Sequence, residues 1–270
     1  TLYVACATAN QVAALDPATG KTVRTFGVPQ PPTALVLSPD QTRLYVACAG
    51  PASTVVAIDL AKGEETARLA AGHTTTGLAL APDGKTLYAC NRFCDSLSIF
   101  DLDTHKELAR IAMKREPIHA AVTPDGALLL VAHHLGMGAP DSPQSAATVS
   151  LVDTKERKVV GSIALPMGSN ILREIHVSPD GKQAAVVHNL ARFHMPTTQL
   201  DRGWMNTSAL TLIDIAARKP INTVLLDTVD RGGANPWALA WTPDGNRLLV
   251  THAGTQELSV IQYPALLKKL

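Results

Sequence analysis

Nine histidines, five methionines and four cysteines are the residues of this 270-residue chain best suited to bind soft metals or, for histidine, to move protons near neutral pH. Many fall into register. His133, His188 and His252 each stand seven residues after the glycine of a Pro-Asp-Gly turn, at Gly126, Gly181 and Gly245. Asn91 keeps the same offset from Gly84, and Cys48 keeps it from Gln41. Cys6 fills the matching place near the start. Imidazole and thioether suit copper, haem iron or zinc, so His133, His188 and His252 are candidate ligands of a transition metal. The cysteines Cys6, Cys48, Cys90 and Cys94 form no C-x-x-C or C-x-x-C-H. Neither a zinc ribbon nor a covalent haem site is encoded. There is also no nucleophile elbow, H-E-x-x-H or paired-carboxylate motif.

The elements that hold these residues repeat about every 42 residues. Pro-Asp-Gly recurs at 82–84, 124–126, 179–181 and 243–245, with a diverged copy at 39–41. Proline and aspartate start a tight turn and glycine accepts a positive φ, so each copy predicts a hairpin. An apolar strand A precedes each turn, as in Ala34-Leu35-Val36-Leu37 and Ala238-Leu239-Ala240-Trp241. Strand B follows, as in Leu44-Tyr45-Val46. Strand C ends in aspartate, as in Leu97-Ser98-Ile99-Phe100-Asp101, and a short turn leads to strand D. Four antiparallel strands per repeat predict an all-β fold, a β-propeller of four-stranded blades. The chain is expected to be a single propeller domain, 1–270, with repeats near 1–41, 42–84, 85–126, 127–181, 182–245 and 246–270. The first and last repeats lack strands, so a fragment of a longer ring is expected. A six-bladed ring with an imperfect closing blade is the alternative.

Strand direction puts the B–C and D–A loops on one face and the tight turns on the other. Repeat lengths then single out one face. From Gly84 to Asp101, across strands B and C, is 17 residues; the same span is 27 from Gly126 to Asp153 and 33 from Gly181 to Asp214. The D–A spans lengthen from 25 to 28 and 31. Insertions confined to one face of a repeat fold mark a binding face, although added loop length costs little anywhere. Seven of the nine histidines and all five methionines map to that face. Strand B should lie roughly 10 Å from the axis, so equivalent positions in adjacent blades are about 9 Å apart. Three histidines cannot easily meet one ion across such gaps. Their other role is a hydrogen bond to the neighbouring loop.

The longest loop, 188–207, and the connection 230–237 carry Arg192, Phe193, His194, Arg202, Trp204, Met205, Arg231 and Trp237. Arginine, tryptophan and methionine are enriched at interfaces, so these eight are candidate partner-binding residues. The arginines suit haem propionates or a partner's carboxylates. They suit equally well a tie to their own scaffold through Asp201 and Asp230.

Leu44-Tyr45-Val46-Ala47 and Leu87-Tyr88-Ala89-Cys90-Asn91, with the Pro-Asp-Gly turns and strands ending in Ile-Asp, resemble YVTN-type propeller repeats. That resemblance implies six to eight blades, most often seven, with about five to six of them in this chain. Leu172-Arg173-Glu174 and the two long segments resemble the propeller portion of bacterial proteins fused to a di-haem cytochrome c peroxidase (MauG-like) region. That implies a periplasmic or cell-surface docking module for a haem domain or protein partner. A lactonase or metal-dependent hydrolase is the enzymatic alternative, since lactonases share this repeat class and histidine, Arg173 and Glu174 could form a polar cluster near the axis. A surface-layer or adhesion protein is a third. The net charge of +1 offers nothing for nucleic acid, and no apolar run is long enough to span a membrane.

Overall fold

The computed structural model describes every residue except 138, 140, 141, 143, 193–204 and 229. The backbone falls into two compact units, Thr1–Pro117 and Ile118–Leu270. The first unit contains three antiparallel sheets. Blade 1 is β1 (Leu2–Cys6), β2 (Gln11–Leu15) and β3 (Thr22–Gly27). Blade 2 is β4 (Pro32–Leu37), β5 (Arg43–Cys48), β6 (Thr54–Asp59) and β7 (Glu64–Ala70). Blade 3 is β8 (Thr75–Leu80), β9 (Thr86–Asn91), β10 (Ser96–Asp101) and β11 (Lys106–Ala112).

The second unit begins with blade 4: β12 (Pro117–Val122), β13 (Leu128–His133), β14 (Thr148–Asp153) and β15 (Lys158–Ala164). Blade 5 has the two-residue β16 (Ser169–Asn170), then β17 (Ile175–Val177), β18 (Gln183–Ala191), β19 (Asn206–Asp214) and β20 (Lys219–Leu225). Blade 6 is β21 (Pro236–Trp241), β22 (Arg247–His252) and β23 (Glu257–Gln262), followed by the short helix α1 (Tyr263–Leu267). Blades 2 to 5 run in chain order from strand A, with B, C and D added in turn, as the repeat predicts. Blade 1 has B, C and D, and blade 6 has A, B and C.

The turns form for the reason the sequence suggests, with one addition. A hydroxyl residue precedes proline in most copies. In Ser178-Pro179-Asp180-Gly181, Ser178 Oγ donates to Asp180 Oδ1 at 2.6 Å and Gln183 N donates back to Ser178 Oγ at 3.0 Å. Gly181 closes the turn at φ 72°. Ser38, Thr123 and Thr242 repeat the bond to Asp40, Asp125 and Asp244. These hydroxyl and amide donors hold the carboxyls below their usual range, Asp244 at about 2. The aspartates closing strand C cap the next turn: Asp101 Oδ1 accepts Thr104 N at 2.7 Å, and Asp214 Oδ1 accepts Ala217 N at 2.8 Å.

In blades 2 to 5 the B and C strands are buried on both faces, which explains their near-continuous apolar runs, whereas β1, β22 and β23 of blades 1 and 6 carry exposed residues. Alternate residues face opposite neighbouring blades. In the second unit Leu130, Val149 and Leu151 pack with Ile175, Val186 and Ile213 between blades 4 and 5. Val187, Leu210 and Leu212 pack with Leu239, Leu248 and Val250 between blades 5 and 6. In the first unit Tyr45, Val55 and Leu69 meet Leu78, Leu87 and Phe100.

Candidate functional site

Within the second unit the long connections knit into one rim. Gly168 N donates to Ser145 O at 3.0 Å and Ala191 N donates to Gly168 O at 2.9 Å. Leu172 N donates to His134 O at 3.1 Å, and Ser208 N donates to Asp227 Oδ2 at 2.6 Å. The B–C segments of blades 4 and 5 and the D–A connections after them therefore share a face. Gly168 is required there: at φ 88° its backbone lies so close to Ala191 that an added Cβ would stand 2.1 Å from that carbonyl oxygen. The glycines of the 230–237 connection serve the same end internally. Gly233 packs its backbone against the ring of His252, within its own blade contact.

This rim exposes large apolar side chains. Met137, Met167, Met205 and Trp237 are 37–50% exposed, and the guanidinium of Arg173 stacks 4.1 Å above the Trp237 ring. Arg192 is half-buried, and its backbone N–H donates to Met205 O at 2.7 Å. Arg231 pairs with Glu257 on β23, so its scaffold tie runs to blade 6. Phe193, His194, Arg202 and Trp204 lie outside the described residues. In the first unit, Phe93 is exposed on the B–C turn of blade 3, stacked edge-on against His73 with Arg92 above it.

His133 and His252 end their B strands, while β18 runs three residues past His188; all three are fully or almost fully buried. Each is engaged inside its own blade. His133 Nε2 meets Ser150 Oγ at 2.8 Å, His188 Nε2 meets Thr211 Oγ1 at 2.7 Å, and His252 Nε2 meets Ser259 Oγ at 2.9 Å. Asn91 does the same with Ser98 Oγ at 2.9 Å. In all four blades the hydroxyl sits opposite the residue two before the slot: Ala89 pairs Ser98, Val131 pairs Ser150, Val186 pairs Thr211 and Val250 pairs Ser259. Where the slot holds a thiol, the partner position is apolar: Val56 for Cys48 and Ala13 for Cys6. A buried polar group needs a partner and a buried thiol does not, so slot and strand C change type together. The four cysteines are free.

The metal-capable grouping among the described residues lies elsewhere, on the A strands of the second unit. His119 on β12, Glu174 just before β17 and His176 on β17 have ligand atoms all within 4.8 Å of one another. His176 Nε2 donates to Glu174 Oε1 at 3.0 Å, and His119 Nε2 stands 3.5 Å from the same oxygen. The two rings stack at 5.6 Å between centroids. Glu174 Oε2 accepts the Leu239 amide of β21 at 2.9 Å, so one carboxylate links the A strands of three blades. Burial pushes His119 down to about 4, leaving it neutral at neutral pH. Glu174 is pulled the other way by its burial, yet the imidazoles and the Leu239 amide win and hold it below the usual carboxylate range.

Glu174 was legible, with Arg173 and an unspecified histidine, as a candidate for an axial polar cluster; Arg173 stacks on Trp237 instead, and neither His119 nor His176 was singled out. The register could have found both. Seven residues before each turn glycine slot stand Ala34, Gly77, His119, Glu174 and Ala238, small except in two adjacent blades. His176 is two residues past Glu174, on the same side of an extended strand.

Repeated four-stranded antiparallel blades make this chain a β-propeller. Comparison with known proteins agrees on that class. A family model described as "Lactonase, 7-bladed beta-propeller" matches residues 64–137. Hydrazine synthase subunit beta of Kuenenia stuttgartiensis is 26% identical over 114 residues, which is 42% of this chain and 29% of that protein. A solved structure of Kuenenia stuttgartiensis hydrazine synthase superposes with a TM-score of 0.89 at 24% identity, covering 98% of this chain and 74% of that one. The similarity is strong in fold, and the sequence match spans less than a third of the curated relative's length.

Proposed function

We propose that this chain is a docking propeller, a non-catalytic component of an exported redox assembly. Its rim of B–C and D–A segments in blades 4 to 6 receives a protein partner. The observation that carries this reading is the exposure of Met137, Met167, Met205 and Trp237 on one rim, beside the longest insertions. Exposed methionines and a tryptophan on one rim are what a partner interface supplies. Arg192, Phe193, His194, Arg202, Trp204 and Arg231, on the same two connections, are the other partner-binding residues of this reading. The curated relative is by its name a subunit, which supports an assembled role. The resemblance to peroxidase-linked propellers favours a haem-bearing domain as the partner, in the periplasm or at the cell surface. Among the described residues no helix is long and apolar enough to cross a membrane.

Full-length protein purified gently from its source should run as a heteromeric assembly. The combined Met137→Ser, Met205→Ser and Trp237→Ser variant should elute as the lone, folded chain. An assembly unchanged by those substitutions would sink the reading. Hydrolysis at the A-strand ends is the second reading, favoured by the His119–Glu174–His176 cluster; lactone turnover by the wild type, lost in His119→Gln, would establish it in place of docking.

A further inference from the structure

We infer that His119, Glu174 and His176 bind one divalent transition-metal ion of the zinc class, independently of any docking on the rim. Zinc–ligand bonds of about 2.0–2.1 Å in a tetrahedron put neighbouring ligand atoms about 3.3 Å apart. The Glu174 Oε1 separations from the two imidazole nitrogens, 3.0 Å and 3.5 Å, bracket that edge length. Two of the three edges of the cage are therefore near their bound length, and the third, between the imidazole nitrogens, lies within 4.8 Å.

Three further features fit an ion. Both histidines present the same ring nitrogen, Nε2, to one carboxylate oxygen. Glu174 Oε2 is occupied by the Leu239 amide, which fixes the carboxylate and leaves Oε1 to face the rings. The side chains of His119, Glu174 and His176 are 20%, 22% and 38% exposed, so a fourth position can be filled by water. Two imidazoles and one carboxylate favour zinc or a neighbouring first-row ion over calcium or magnesium, which prefer all-oxygen sets. Metal-bound imidazoles are neutral, so the bound trio sets a single negative charge against the ion. On binding, His176 must move its Nε2 proton to Nδ1, and His119 must likewise carry its ring proton on Nδ1. That nitrogen faces the Ile175 amide at 3.5 Å, the outer limit of a hydrogen bond, so the contact opens cheaply.

The test uses the full chain, stripped with a chelator and titrated with Zn2+ alone by calorimetry, then with Co2+ to read the visible bands of tetrahedral cobalt. One equivalent should bind with micromolar or tighter affinity and give those bands. Glu174→Gln keeps the shape and an acceptor for Leu239 and should weaken binding about 100-fold or more. His176→Gln serves the same purpose if Glu174→Gln fails to fold, with circular dichroism as the check. His133→Asn, His188→Asn and His252→Asn should leave binding unchanged. Absence of binding would overturn the inference. So would binding that survives both cluster variants and disappears in Cys94→Ser or in a slot-histidine variant.

Discussion

Acidification from about pH 6.5 to about pH 4 should strip the protein of most of its resistance to urea. The cause lies in two histidines held neutral by the fold. His188 is buried within β18. Its Nδ1–H donates to Asn189 O at 3.1 Å, because a carbonyl can only accept. Its Nε2 then accepts the Thr211 hydroxyl at 2.7 Å, and Thr211 in turn accepts from Thr223 at 2.7 Å. The neutral ring is fully satisfied, and burial pushes its pKa down to about 4, as it does for His119. An unfolded histidine titrates near 6.5. Between 6.5 and 4 the unfolded chain therefore takes up protons that the folded chain refuses. The stabilisation is fully present above the unfolded pKa and is lost as pH falls toward the folded one. Each group accounts for about 3 kcal/mol over that interval, and the pair for about 6 kcal/mol. Glu174 adds to the loss, because a carboxylate with a lowered pKa gives up its stabilisation as acid protonates it. A domain has only about 5–15 kcal/mol to lose. Urea midpoints measured across this range should fall steadily, and His188→Asn should flatten the slope by close to one proton. A flat profile would contradict the assignment of both histidines.

Replacing Asn91 by alanine should cost about 4 kcal/mol, far more than the same change at Cys48. Asn91 is fully buried and uses its whole hydrogen-bonding capacity. Its Oδ1 accepts Gly72 N at 2.9 Å and Thr75 Oγ1 at 2.8 Å, while its Nδ2 donates to Ser96 Oγ at 3.1 Å and Ser98 Oγ at 2.9 Å. Truncation strands a buried amide and leaves three hydroxyls short of a partner. Cys48 occupies the equivalent slot opposite an apolar Val56 and makes only a long contact to Val46 O at 3.7 Å. Its loss removes little beyond packing, about 1 kcal/mol. Equal unfolding free energies for Asn91→Ala and Cys48→Ala in denaturant titrations would refute the idea that slot and strand C form one polar unit.

The blades could be read from the chain because their determinants are local. Proline, aspartate and glycine within three residues fix each turn, and alternate apolar residues on B and C face the two neighbouring blades. The aspartate at the end of strand C is legible for the same reason: it caps a turn a few residues away. The slot histidines were visible as a register, yet their partners were not. Ser150 lies 17 residues from His133, Thr211 lies 23 from His188, and variable loops intervene. Only strand pairing reveals that hydroxyl and imidazole are diagonal neighbours. The His119–Glu174–His176 cluster was legible only at Glu174. It joins residues more than fifty positions apart on separate blades, so it follows from how A strands pack and not from spacing along the chain. Arg231 shows the same limit: its ion pair with Glu257 reaches a strand that the sequence pattern does not connect to it.

The central claim, that one rim of blades 4 to 6 is covered by a partner, is tested most directly by hydroxyl-radical footprinting. The full-length protein would be labelled in the assembly isolated from its source and again as the separated chain. Met137, Met167, Met205 and Trp237 should be protected several-fold in the assembly, while Val159, exposed on the outer strand β15, keeps its reactivity. Equal labelling of the four rim residues in both forms would contradict the account.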